Sequence, residues 1–204
     1  MKVIRISFLI LAAIAFTGCS DSETVNAQKE RPAETPAIAA ADSFAYPIGK
    51  TGTVTQAKDR DEWYNALDFG KNDHLGEDWN KNTGGNTDCG EPVYAAAAGT
   101  IVFAGDAGPG WGNVLIIDHV LPTGEKVQSL YGHMQEILVK TGEVKKREQI
   151  GKVGNANGRY MCHLHFEIRE PSSPDWGQAG GGYSAERKGW LDPSDFIDKH
   201  LQPR

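Results

Sequence analysis

The chain has 204 residues, which is enough to bury one sizeable hydrophobic core and leave a tail. Its formal net charge of -6 gives no electrostatic basis for binding a polyanion, so nucleic acid is excluded as a partner. No internal repeat and no second change of composition follow residue 46, so we expect one folded domain, taken as a monomer.

The first nineteen residues have the composition of an export signal. Lys2 and Arg5 supply positive charge, residues 6–16 are almost wholly apolar, and the run closes on Gly18-Cys19. This pattern resembles a bacterial lipoprotein signal in which Cys19 becomes the lipidated first residue of the mature chain. A plain cleaved secretory signal is the alternative. In the lipoprotein interpretation the protein is held by a membrane and faces the periplasm or the cell-wall space.

Residues 20–45 are rich in Ala, Ser, Glu, Pro and Gln and show no apolar periodicity. Such a segment cannot bury enough surface to offset the entropy lost on ordering, so we expect a flexible linker. The folded domain is expected over residues 46–204. Within it, the polar stretch that follows residue 46 contains one candidate short helix, around residues 61–67.

From residue 93 onward, short apolar runs alternate with turn residues, a pattern that predicts a mostly β domain. Val114–Ile117 form a continuous apolar run, typical of a strand buried on both faces. At the end of the chain, Asp192 is a good helix cap before Pro193, so a short C-terminal helix is expected to about Leu201. The predicted strands are 93–97, 100–104, 113–119, 127–134, 139–144, 150–153 and 163–169.

The strand predicted over residues 163–169 has an alternating pattern. His163 and His165 point to the same side, about 6.5 to 7 Å apart. One imidazole can then bind a metal while the other stands beside the metal's open position, which is the arrangement of a catalytic site. An exposed amphipathic strand that happens to carry two histidines is the alternative. The polar side carries His163, His165, Glu167 and Arg169, and the apolar side carries Leu164, Phe166 and Ile168.

His74 and Asp78 are four residues apart, a spacing that shares a face on a helix and on a strand. Gly76 between them argues against a helix interior. With His165 they would form a site of two imidazoles and one carboxylate that leaves a coordination position open. A surface turn that contains a histidine and an aspartate is the alternative interpretation.

Three motifs follow one another along the chain: His74-x-x-x-Asp78, Tyr131-Gly132-His133 and His163-Leu164-His165. In this order they closely resemble those of the lysostaphin/LytM-type zinc endopeptidases of bacterial cell walls, and the resemblance covers about residues 70–198. It implies an antiparallel β-sheet domain that binds one zinc ion and hydrolyses peptide cross-links of peptidoglycan with metal-activated water. D-alanyl-diaminopimelate cross-links and interpeptide glycine bridges are both candidate bonds.

The resemblance implies that His74, Asp78 and His165 hold zinc and that His133 and His163 serve catalysis. We expect His163 to be the general base and His133 to stabilise the oxyanion, although the two roles can be exchanged. The alternative function is a non-catalytic module that binds the cell wall or activates an amidase. Since every motif position is filled, the enzyme is the favoured interpretation.

Cys89 and Cys162 remain once Cys19 is assigned to the lipid. Two cysteines in an exported domain can pair, so a disulfide is expected between the loop after the first motif and the strand of the last motif. Glu167 has two possible partners on its side of the strand: it can orient an imidazole or form an ion pair with Arg169.

Overall fold

A computed structural model describes residues 40–53 and 62–201, and within these ranges it contains eleven strands and one α-helix. The expected signal segment, Cys19 and residues 20–39 of the expected linker lie outside the described residues. The mostly β fold class with a C-terminal helix is confirmed. The elements are β1 (Trp63–Leu67), β2 (Glu77–Lys81), β3 (Pro92–Tyr94), β4 (Gly99–Asp106), β5 (Asn113–Val120), β6 (Lys126–Met134), β7 (Glu136–Ile137), β8 (Gly142–Val144), β9 (Gln149–Lys152), β10 (Leu164–Arg169), β11 (Trp190–Leu191), a 3-10 turn (Lys71–Asp73) and α1 (Pro193–His200).

The main sheet has the strand order β1-β2-β10-β6-β5-β4-β8, with β11 beside β10, and its pairs are antiparallel. A smaller sheet has the order β3-β9-β7. β5 is buried along Val114–Ile117, as its apolar run predicts. Alternate residues of β5 serve the two faces: Leu115 and Ile117 join the main core, whereas Val114 and Ile116 pack with Trp111.

The prediction of a short helix around residues 61–67 is wrong, because residues 63–67 form the edge strand β1. β1 pairs antiparallel with β2, and Trp63 is 2% exposed. The local pattern there is too weak to fix a structure, so pairing with a neighbouring strand and burial of the indole decide the outcome.

The packed part of the chain begins before residue 46. Ala41 and Phe44 are buried, the Phe44 N–H donates to the His200 carbonyl at 3.0 Å, and the Ala41 N–H donates to the Val120 carbonyl at 2.8 Å. Arg147 also holds this segment, by donating to backbone carbonyls that follow residue 45. The predicted boundary of the linker at residue 45 is therefore too far along the chain, because the last residues of the segment 20–45 supply apolar side chains to the core.

Helix α1 begins as predicted. The Asp192 side chain accepts from the Asp195 N–H at 3.0 Å, and Phe196 and Ile197 turn inward. Ser194, in the first turn, donates to the carboxylate of Glu77 at 2.9 Å, so the helix is tied to β2. No helix among the residues that the structure describes is long and apolar enough to cross a membrane.

Candidate metal centre

Two adjacent strands bring the last and the first motif together. β10 pairs antiparallel with β2, and His165 lies directly opposite Asp78 in this register. Directly opposed residues point to the same face of a sheet, so both side chains project into one cleft. His74 precedes β2, and an isolated antiparallel bridge to Tyr183 fixes its backbone.

The three side chains expected to hold a metal converge on one point. Asp78 Oδ1 lies 3.3 Å from His74 Nε2 and 3.1 Å from His165 Nδ1, and the two nitrogens are 3.0 Å apart. Ligands about 2.0 to 2.1 Å from a tetrahedral zinc ion lie about 3.3 Å from one another. The donor atoms and their spacing therefore fit a zinc ion, and only one carboxylate oxygen and two nitrogens are used.

Burial and neighbouring groups have opposite effects on the pKa values of Asp78 and His165. Burial alone would raise the pKa of Asp78, but hydrogen bonds from His165 and His74 outweigh it and hold that pKa well below its usual range. Burial alone would lower the pKa of His165, but Asp78 and Glu167 on its two sides raise it to about 9. The site is thus strongly attractive to a cation.

His165 is oriented by a buried carboxylate. Its Nε2 lies 2.8 Å from Glu167 Oε1, while Glu167 Oε2 accepts from Arg169 Nε at 2.6 Å and from Trp190 Nε1 at 2.8 Å. Glu167 therefore has both partners that the sequence allowed. The polar side of β10 is not solvated, because Glu167 and Arg169 are both 0% exposed. Carbonyl groups of Asp175 and Ala179 lie against Arg169, and the indole of Trp190 lies against Glu167.

His133 enters the cleft because β6 is irregular at its end. Between the pairs Asn113↔Met134 and Leu115↔Tyr131, β6 has one residue more than β5, and His133 adopts a φ of 61°. Regular alternation would put His133 on the core side with Tyr131, so the bulge redirects its side chain. A left-handed backbone at a residue other than glycine costs about 1 to 3 kcal/mol, and such strained residues cluster at functional sites.

The two candidate catalytic histidines are held in the same way. His133 Nδ1 lies 3.1 Å from the Trp111 carbonyl, and His163 Nδ1 lies 2.8 Å from the Met161 carbonyl. Since a carbonyl only accepts, both Nδ1 atoms carry a proton, and each neutral ring has its lone pair on Nε2. Burial, together with the positive charges of the neighbouring His165 and His163, lowers the pKa of His133 to about 3.

His163 stands beside the metal ligands. Its Nε2 lies 3.7 Å from Asp78 Oδ1, and its ring centroid is 4.7 Å from that of His133. It precedes β10 by one residue and is paired by an isolated bridge to Gly154. The structure therefore gathers all five expected site residues around one cleft.

A disulfide links Cys89 and Cys162, whose Cα atoms are 5.2 Å apart. The backbone around Cys162 is held further: its carbonyl accepts from the Asn80 side chain at 3.1 Å, and its N–H donates to the Asn86 side chain at 2.9 Å. The disulfide thus joins the loop after β2 to the residue that precedes His163.

The cleft has a volume of about 240 Å³. Three aromatic residues that the sequence did not single out also line it: Trp111, Tyr160 and Tyr183. Each lies in a glycine-rich loop, and a bulky aromatic ring among glycines is the signal that could have identified them. His74 Nδ1 has no hydrogen-bond partner in the described part of the chain, so packing against neighbouring rings orients it.

Comparison with known proteins gives the family. Outer membrane antigenic lipoprotein B of Histophilus somni is 35% identical over 155 residues, which are 72% of this chain and 42% of that protein. The DD-carboxypeptidase/endopeptidase Mpg of Neisseria meningitidis is 38% identical over 85 residues, 42% of this chain and 19% of that protein. The chain spans less than half the length of either relative.

Among solved structures, a zinc containing peptidase from Vibrio cholerae is 24% identical, with a TM-score of 0.49 over 72% of this chain and 41% of that chain. The model of peptidase family M23 matches residues 73–176, about half of the chain. That range includes His74, Asp78, His133, His163 and His165. The chain belongs to peptidase family M23.

Proposed function

We propose that the domain is a zinc-dependent endopeptidase that hydrolyses peptide cross-links of bacterial peptidoglycan. The observation that carries the proposal is the convergence of Nε2 of His74, Oδ1 of Asp78 and Nδ1 of His165 within 3.3 Å of one another, with two further imidazoles in the same cleft. Membership of a peptidase family and the peptidase name of one relative support the same reaction.

His74, Asp78 and His165 would hold the ion. Zinc bound there would supply Lewis acidity, which lowers the pKa of water and polarises a carbonyl. Two neutral imidazoles and one carboxylate leave the ion with a net charge of about +1, so much of this acidity is kept. Glu167 fixes the ring of His165 with Nδ1 toward the ion.

His163 is the proposed general base. Its free Nε2 lies beside Asp78 and carries the lone pair, because Nδ1 is bonded to the Met161 carbonyl. It can accept the proton of the attacking water and return it to the leaving amine. Replacement of His163 by Ala is expected to lower turnover about a hundredfold or more, with zinc still bound.

His133 is proposed to act on the reacting carbonyl from beside His163, since the two ring centroids are 4.7 Å apart. The hydrogen bond to the Trp111 carbonyl aims its Nε2 into the cleft. In the neutral ring, which the lowered pKa of His133 favours, this atom accepts hydrogen bonds and can take up a proton as a general base. Stabilisation of an oxyanion would require a second proton, on Nε2. A rate loss in His133→Ala at neutral pH that the addition of imidazole reverses would support a direct role.

The alternative is a module that binds the wall or activates an amidase without cutting. The observation that favours it is that one relative is named a lipoprotein and not a peptidase. Metal analysis of the wild type and of His74→Ala, Asp78→Ala and His165→Ala, combined with digestion of purified cell walls, separates the two. The enzyme predicts about one zinc per chain, lost in each variant. Bound zinc without released cross-link products would support the non-catalytic module and contradict the enzyme.

Digestion of cell walls whose cross-links are known can identify the bond that the enzyme cleaves. Digestion of material cross-linked by D-alanyl-diaminopimelate, in parallel with material cross-linked by glycine bridges, gives products that mass spectrometry distinguishes. We also propose that Cys19 is lipidated and holds the domain to a membrane facing the periplasm or the cell-wall space, as the lipoprotein names of relatives suggest. Incorporation of labelled fatty acid into the wild type, and not into Cys19→Ser, tests this.

A further inference from the structure

The loop between β10 and β11, residues 170–189, is built as one wall of the cleft. The guanidinium of Arg169, which is 0% exposed, donates to three of its carbonyl oxygens. Farther along, Trp111 Nε1 donates to the Gly180 carbonyl at 2.8 Å. The loop is therefore fixed by the same buried network that orients His165. The three acceptors of Arg169 are the carbonyls of Asp175, Gln178 and Ala179.

Tyr183 is the aromatic residue that this loop presents. Its ring packs on that of His74, with centroids 5.0 Å apart and planes tilted by 37°. Nevertheless Tyr183 is 55% exposed, and it lines the cleft. Two backbone hydrogen bonds hold its neighbours, from Leu75 N–H to the Gly182 carbonyl (3.0 Å) and from Ser184 N–H to the Asp73 carbonyl (2.7 Å).

A second exposed tyrosine stands on the other side of the site. Tyr160 is 43% exposed, and its ring centroid lies 5.1 Å from that of His133 and 5.9 Å from that of His163. The metal ligands thus lie between two tyrosine rings.

An apolar ring that is fixed in place yet exposed inside a cleft suits the binding of another molecule. Its order is already established in the free protein, so little entropy is lost when a ligand packs on it. Tyrosine combines a flat apolar surface with a hydroxyl at its end, which matches the amide planes and short alkyl groups of a peptide.

We propose that Tyr183 binds the substrate peptide on the His74 side of the cleft, while Tyr160 contacts it on the His133 and His163 side. The contact is made mainly by the rings. The identity of the substrate, a peptide stem of peptidoglycan, rests on the proposed function.

Binding of a purified cross-linked muropeptide dimer tests the proposal. Its dissociation constant is measured by calorimetry with zinc-loaded His163→Ala, so that bound peptide is not consumed. Tyr183→Ala, Tyr183→Phe and Tyr160→Ala are then added singly, with Lys188→Ala as the control because Lys188 is exposed on the same loop. The zinc content of every protein is measured in parallel.

We expect Tyr183→Ala and Tyr160→Ala each to raise the dissociation constant about tenfold, which corresponds to about 1.4 kcal/mol, with zinc content unchanged. Tyr183→Phe, which keeps the ring, should stay within about threefold of the parent, and Lys188→Ala should match the parent. Because Tyr183→Phe keeps the ring, its binding shows whether weaker binding by Tyr183→Ala comes from loss of the ring or from loss of folding.

An unchanged dissociation constant in Tyr183→Ala would overturn the proposal, as would absence of muropeptide binding by the parent. Loss of zinc together with loss of binding would also overturn it, since Tyr183 would then only support His74. Failure of the proposed function has a different signature, in which the wild type releases no products although the dimer still binds and binding still depends on Tyr183.

Discussion

Glu167 Oε1 lies 2.8 Å from Nε2 of His165, two residues away on the same strand. Since Glu167 is also bonded to Arg169 and Trp190, its carboxylate cannot turn away from the imidazole. Nδ1 of His165 is thereby aimed at the position shared with His74 and Asp78. The candidate metal centre therefore depends on this buried carboxylate in addition to its three donors.

Replacement of Glu167 by Gln should weaken zinc binding about 10- to 100-fold. The amide keeps the size of the side chain but loses the negative charge that holds the His165 ring. Competition with a chromophoric chelator measures the affinity. Glu170→Gln, an exposed change at the residue that follows β10, is the matched control. Equal zinc affinities for both variants would show that Glu167 does not orient the ligand.

Gly76 lies between the two ligands of the first motif and has no room for a side chain. A Cβ there would lie 2.4 Å from the Phe166 carbonyl oxygen and 2.7 Å from Glu167 Cγ. Gly76→Ala should therefore push β2 and β10 apart, lower the free energy of unfolding by about 1 to 3 kcal/mol and reduce zinc binding.

Gly105→Ala is the control for Gly76→Ala, since the nearest atom to its Cβ would be 3.9 Å away. Urea denaturation and zinc titration of the two variants make the comparison. If Gly76→Ala unfolded at the urea concentration of Gly105→Ala and bound zinc equally well, the close approach of the strands would be refuted.

The disulfide between Cys89 and Cys162 closes a loop with a sequence separation of 73 residues. In the chain-entropy model, such a link is worth about 4 kcal/mol. The double variant Cys89→Ser/Cys162→Ser should lose about this free energy of unfolding in denaturant, and reductant should bring the wild type to the same midpoint. A wild-type midpoint that reductant leaves unchanged would contradict the prediction.

His119 gives the fold a pH dependence. Burial lowers the pKa of this 0% exposed imidazole to about 4, and its Nδ1 lies 2.8 Å from the Ala98 carbonyl. The unfolded chain takes up this proton near pH 6.5 but the folded protein only near pH 4, so the stabilisation is complete above pH 6.5. About 3 kcal/mol is lost as the pH falls through this window.

Urea unfolding of zinc-free protein at pH 7.5 and at pH 4 tests the role of His119, because without zinc no metal competes with protons. His119→Gln should lose about 3 kcal/mol less than the wild type between the two values. Identical losses would mean that other groups account for the acid sensitivity.

Part of the site follows from strand periodicity. A repeat of two residues puts His163 and His165 on one side. The spacing of His74 and Asp78 predicts a shared face, but His74 lies before β2 and its isolated bridge to Tyr183 fixes its backbone. The short strands and the cap of α1 also follow from local signals, because turn residues and Asp192-Pro193 act within a few positions.

Other parts depend on tertiary contacts that no local pattern contains. Alternation places His133 with Tyr131, and only the extra residue of β6 turns it into the cleft. Glu167 and Arg169 look solvated in the sequence, yet both are buried, Arg169 against carbonyls of a loop without periodicity and Glu167 against Trp190. The same loop supplies Tyr183, whose position depends on its bridge to His74.

The most direct test is the release of monomers from a purified cross-linked muropeptide dimer, followed by chromatography with and without a chelator. The account predicts that the zinc-loaded protein releases monomers, that chelation stops release, and that zinc restores it. His165→Ala should release none under any condition. Zinc-loaded wild-type protein that releases no monomers, or release that chelation does not reduce, would contradict metal-dependent hydrolysis at this site.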